Sequence, residues 1–142
     1  MEEKNSFDLK SVKVHRTLEG TIFEVITAII LVVMWAVAIA TKFFNISSMR
    51  GDQMAIIIIS VFSIILLFVA YSPKNINLGQ EPKNIRQVEI AIRTTRILAV
   101  ELALFCLLMV ATSTDNPLIH TALGITVVST AIVSSILIRK AK

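Results

Sequence analysis

Glycine, histidine and cysteine are scarce in this chain, with four, two and one respectively among 142 residues. Each shortage closes off a class of chemistry. Four scattered glycines form no loop able to cradle a phosphate. His15 and His120 are too far apart in sequence to act as paired metal ligands. Cys106 lies alone inside an apolar block, so neither a disulfide framework nor a cysteine metal site arises, and the thiol reads as a small hydrophobe. No nucleophile and base occur in a recognisable arrangement either. The sequence reads as non-enzymatic, with no cofactor and no metal.

Charge is also missing over long stretches. Val25 to Thr41, Met54 to Ser72 and Asn116 to Ile138 contain no acidic or basic residue, and Ile97 to Thr114 contains only Glu101. Hydrophobic residues make up 55% of the chain, and its mean hydropathy is +0.77. A soluble domain is about 45–50% apolar. Crossing a hydrocarbon core takes roughly 17–25 mostly apolar residues at about 1.5 Å of rise each. All four blocks reach that length with their interfacial neighbours. The polar chain left over is too short to coat a soluble core. The expected fold is therefore all-α, an integral membrane four-helix bundle. It forms one membrane domain over 1–142, with a cytoplasmic tail at 1–20 and helices at about 21–44, 53–72, 84–114 and 117–139. The lipid bilayer is its first partner, and no repeat or soluble domain accompanies it.

Two other readings fail. Ala38-Ile39-Ala40 imitates a signal-peptide cleavage site, but the region before that block mixes Glu2, Glu3, Asp8, Glu19 and Glu24 with its lysines. A net charge of +4 with a pI near 9.5 is also what a nucleic-acid-binding chain shows. The basic residues, however, flank the apolar blocks and are not interleaved with aromatics on one surface.

Those flanking residues set the orientation, because basic loops stay in the cytoplasm. The N-terminal tail holds Lys4, Lys10, Lys13 and Arg16, and the second loop with the following helix start holds Lys74, Lys83, Arg86, Arg93 and Arg96. The C-terminus holds Arg139, Lys140 and Lys142. With both ends inside, twelve of the fourteen basic residues face the cytoplasm and only Lys42 and Arg50 lie outside. The expected location is a bacterial inner membrane, multi-pass, with both termini in. Phe43 and Phe44 then sit at the outer edge of helix one and Tyr71 at the inner edge of helix two. Met49-Arg50-Gly51-Asp52 turns the chain outside, Pro73 stops helix two, and Pro117 suits the first turn of helix four. The short loop around Asp115 makes helices three and four an antiparallel hairpin.

The polar residues inside these blocks are the candidate site. At about 100° per residue, Arg86, Glu89, Arg93 and Arg96 share one face, opposite Val88, Ala91, Thr95 and Leu98. Glu89 precedes Arg93 by four positions, a helical ion pair worth about 0.3–0.5 kcal/mol. This face reads as a solvated, lipid-headgroup surface fixing orientation, or alternatively as a docking face for a protein partner on the cytoplasmic side. Glu24 and Glu101 lie about 6–8 Å inside the cytoplasmic boundary. An acid near mid-membrane costs about 2.5–3.5 kcal/mol and needs a partner. Arg93 and Arg96 enter at similar depth, so the expectation is an ion-pair cluster pinning helix one to helix three. Proton or ion coupling and simple snorkelling to the interface are the alternatives. Trp35, eleven residues after Glu24, shares its azimuth and is expected inside the bundle or at the outer leaflet. His120 reads as a hydrogen-bonded residue near the outer end of helix four. On that helix Ala122, Thr126, Thr130 and Ser134 form a small-residue packing stripe, helped by Gly124 and Ser129, or alternatively line a hydrated path.

Two segments carry a family resemblance. Arg16-Thr17 leads into Glu24-Val25-Ile26 and then Trp35. Arg86-Gln87, Ala91, Arg93, Arg96 and Leu98 form an R-Q-x-x-x-A-x-R-x-x-R-x-L opening to helix three. In these the chain resembles small Bacteroides-type membrane proteins related to the SdpI toxin-immunity family. The outer loop after helix one, rich in Pro, His, Asn and Gly in that family, is reduced here to Lys42–Gln53 without Pro or His. The resemblance implies a four-helix inner-membrane protein acting by interaction, in immunity or signalling. The rival from another class is a small transporter using Glu24, Glu101 and Arg96 as coupling residues.

Overall fold

The computed structural model describes residues 17–44, 49–76, 83–112 and 117–141. The basic tail up to Arg16 with His15, the loop around Asp115 and the final Lys142 lie outside the described residues. Four α-helices and one 3₁₀ turn account for the secondary structure of the described residues, with no strand among them: α1 Leu18–Ala40, α2 Gly51–Val69, the turn Pro73–Asn75, α3 Ile85–Thr112 and α4 Pro117–Lys140. Each helix is long and apolar enough to cross a membrane, so the chain is a multi-pass membrane bundle.

Local chemistry sets the ends. α1 begins three residues before the sequence expectation, because the Thr17 hydroxyl accepts the Gly20 N–H at 3.1 Å and caps the helix there. It also stops four residues early. Lys42 takes φ 50°, its N–H donates to Ile39 O at 3.1 Å, and Phe43 N–H donates to Ala38 O at 2.9 Å. This is a Schellman close with a lysine where glycine is usual. It folds the two phenylalanines back, bringing Phe44 to 5.2 Å from the Trp35 ring. Gln53 ties the next helix to that turn: its side-chain oxygen accepts Arg50 N–H at 3.2 Å, and its amide donates to Phe43 O at 2.6 Å. α2 ends before Pro73, and Pro117 opens α4 as expected.

Cross-helix contacts fix the directions. Gln53 meets Phe43 at one end of the α1–α2 pair, and Tyr71 meets Glu24 at the other. Ser63 on α2 donates to Ala99 O on α3 at 2.7 Å, and Thr130 on α4 donates to Glu101 at 2.6 Å. The helices therefore run up, down, up, down, and Thr17 and Ala141 lie at the same end. That end also holds Arg93, Arg86 and Arg139, whereas Lys42 and Arg50 lie at the other.

α3 is the axis of the molecule. It packs against α1, α2 and α4, while α1 and α2 barely touch each other. The core between them is built from Leu31, Met34 and Ala38 of α1, Ile56 of α2, and Ala103, Phe105, Cys106, Met109 and Val110 of α3. Small residues let the backbones approach. Ser60, Ser63, Ala99, Ala103 and Cys106 are all buried, and close van der Waals packing is what holds helices together in lipid. Ile39, Ile58, Phe68, Leu118 and Ile125 point outward and exposed, as a lipid-facing surface requires.

At the basic end α3 and α4 are clasped. Asn84 Oδ1 accepts Gln87 N–H at 2.9 Å, and Lys83 N–H donates to Gln87 Oε1 at 2.7 Å. The buried Gln87 amide donates to Ile138 O at 3.0 Å and Ala141 O at 3.2 Å. One side chain thereby serves the start of one helix and the end of another. The small-residue stripe of α4 is only partly a packing seam. Ser134 is buried and shares a 2.7 Å hydrogen bond with Thr94, but Ala122 and Thr126 are exposed. Nothing lies within 4 Å of a Cβ built on Gly124, and Ser129 is exposed, so neither residue helps the seam. At the Pro117 end α4 meets the core through Ile119 and Leu123 instead.

Candidate functional site

At the basic end, the first turn of α1 runs beside the middle of α3. Thr17 starts α1 so that Gly20, three residues on, faces α3 and is buried. Arg96 projects into that gap and is only 4% exposed. A Cβ on Gly20 would stand 2.6 Å from Arg96 Cζ and Nη2, so the guanidinium lies flat against the bare glycine. The Tyr71 ring covers it from beyond the end of α2, with Arg96 Cζ 5.4 Å from the ring centroid, a cation–π arrangement. The Tyr71 hydroxyl in turn donates to Glu24 Oε1. Among the described residues Arg96 Nε and Nη2 have no hydrogen-bond partner. The ring and the glycine backbone hold the cation in place.

This arrangement corrects the expected basic face. Arg86, Glu89 and Arg93 are exposed, but Arg96 is buried and leaves that surface. Arg93 reaches Glu19 of α1 at 2.9 Å and makes no pair with Glu89. The ion pair between helices one and three is thus Arg93–Glu19, while Glu24 meets Arg96 through the Tyr71 side chain and Glu101 faces α4. Both side chains of the Arg93–Glu19 pair are exposed, so its energetic weight is small. Val88, Ala91 and Thr95 are buried on the opposite face, as expected.

Glu24 and Glu101 are not brought together, because they lie against different neighbours of α3. Glu24, Thr27, Trp35 and Tyr71 line a groove of about 800 Å³ between α1 and α2. The groove exists because both helices lean on α3 and not on each other. Its walls are otherwise apolar, including Leu31, Ile64 and Phe68. Trp35, at the same azimuth as Glu24, lines it farther from the basic end.

Glu101 lies on the α4 side. Thr130 Oγ1 donates to its Oε1 at 2.6 Å, while Oε2 is buried and accepts no hydrogen bond from the described residues. It borders a cavity of about 360 Å³ between α3 and α4, walled by Leu104, Phe105, Leu118 and Leu123 among others. His120 packs edge-on to Phe105, centroids 5.9 Å apart, near that cavity. Among the described residues no three His, Cys, Asp or Glu side chains gather as a metal site.

Sequence reasoning missed Gly20 and Glu19 as site residues, and read Tyr71 only as an interfacial ring and Thr130 only as part of the helix-four stripe. A signal for Gly20 was present: it falls on the stripe Gly20, Thr27, Leu31, Met34 and Ala38 that α1 buries, one of only four glycines in the chain. Compared with protein-family models, curated proteins and solved structures, the chain matches none.

Proposed function

We propose that this protein acts by interaction within the membrane and not by catalysis, in the manner of SdpI-like immunity or signalling proteins. Its place is a bacterial inner membrane with both termini in the cytoplasm. The groove between α1 and α2 carries the reading. At about 800 Å³ it is large enough for several side chains of a membrane-active peptide. Its apolar walls suit the apolar face of such a peptide, and Glu24 at the basic end suits a cationic residue. The Arg96, Gly20 and Tyr71 stack sets the position of that end.

A photo-crosslinking residue at Ala36, which lines the groove, tests this in intact membranes. It should capture one discrete peptide or protein, whereas the same residue at exposed Ile132 on α4 should capture lipid. Ala28→Trp, filling the groove, should abolish the capture. Lipid adducts alone at both positions would end the reading.

The transporter reading draws on Glu101, whose buried Oε2 has no partner beside a cavity. It requires water to reach that carboxylate. Cysteines at Leu104 and Thr126, both on the cavity wall, should then react with water-soluble maleimides. Ala103 is wholly buried, and a cysteine there would stay silent under either reading.

A further inference from the structure

We propose that the cavity between α3 and α4 is a binding site for a lipophilic ammonium ion, held by Glu101. It is a second site, separated by α3 from the α1–α2 groove, and it stands whether or not that groove takes a peptide.

The carboxylate selects the ligand's head. Thr130 satisfies Oε1, but among the described residues Oε2 has no donor and is closed off from the cavity as well as from water. A buried acceptor left unmet is unfavourable, and the broad last torsion of a glutamate lets the carboxylate turn that oxygen toward the cavity Glu101 lines. No cation among the described residues serves it, and Glu101 forms no ion pair with any of them. Arg93 is turned to Glu19 and Arg96 to Gly20 and Tyr71. Arg139 and Lys140 lie in the last turn of α4, more than two helical turns from Thr130. What is missing at Oε2 is an N–H donor, and a positive one, since a charge-assisted bond is the stronger.

The walls select the body. The space is about 360 Å³, within the size range of small-molecule sites. Apart from Glu101 and Thr126, its lining is apolar. Leu104, Leu108 and Leu118 are exposed on its rim, so the way in is from the side of the bundle, where an amphiphile dissolved in the bilayer arrives. An alkyl or aryl amine fits both requirements. An anion fails at Glu101, and an uncharged chain leaves Oε2 unmet.

The experiment uses the full chain in phosphatidylcholine nanodiscs with radiolabelled n-octylamine at neutral pH, corrected against empty nanodiscs. Saturable binding is expected, with octanol and octanoate competing at least about tenfold more weakly than unlabelled octylamine. Glu101→Gln should weaken binding about tenfold or more. Ala122→Phe, which fills the cavity from an exposed position and keeps Glu101, should do the same and serves if the first variant does not fold. Glu24→Gln, in the other groove, should bind as the parent does. The proposal is overturned if octanol competes equally, if Glu101→Gln or folded Ala122→Phe binds like the parent, or if Glu24→Gln also loses binding.

Discussion

A guanidinium resting on a bare Cα leaves no room for a methyl group. Gly20→Ala places a Cβ 2.6 Å from Arg96 Cζ, and an overpacked site of this kind costs about 1–3 kcal/mol. Once Arg96→Ala has removed the obstacle, the same substitution should stabilise by about 0.5–1 kcal/mol through helix propensity. A double-mutant cycle in detergent-driven unfolding measures the sign reversal, and additivity of the two changes would refute the stacking. Lys42 supplies a second test. Its φ of 50° is unfavourable for a side-chain-bearing residue by about 1 kcal/mol, so Lys42→Gly should raise stability by up to that amount in the same assay. The sequence alone shows neither constraint: the stripe of α1 places Gly20 on its buried face but not what meets it there. The need for glycine at position 20 arises only once α1 lies alongside α3 with Arg96 facing it, a contact 76 residues distant in sequence. The left-handed turn at Lys42 carries no glycine to announce it.

Between elements, one glutamine does the work of two caps. Gln87→Ala removes the donors to Ile138 O and Ala141 O and the acceptor for Lys83 N–H. The expected loss is about 1–2 kcal/mol, with the end of α4 fraying first in hydrogen exchange. Gln87→Glu should be no milder, because a carboxylate facing two carbonyl oxygens cannot donate to them. The helices themselves were legible: uncharged blocks gave their number, and Pro117 and the Asn84 region gave two of their starts to within a residue. Their partners were not. Lipid-facing and protein-facing sides are almost equally apolar here, as exposed Ile58 and buried Ile56 on the same helix illustrate. Hydrophobicity therefore does not say which side of a helix meets which neighbour, and Glu24 and Glu101 were assigned to one cluster when they belong to two.

For the whole molecule, the charge distribution and the alternating helix directions make one joint prediction. Alkaline phosphatase fused after Ala141 should be inactive, and green fluorescent protein at the same point should fluoresce. Phosphatase inserted after Lys42 should be active, since the positive end is retained in the cytoplasm; the reverse pattern would invert the assigned orientation. The placement of α3 bears on how the chain is made. α1 and α2 leave the ribosome first but have little surface for each other, so the hairpin they form enters the bilayer without a finished interior. Assembly waits for α3 to arrive, and α4 can join last without disturbing what precedes it. A nascent chain halted just before Lys83 should thus remain open to quality-control proteases, while one halted after Thr112 should already resist them.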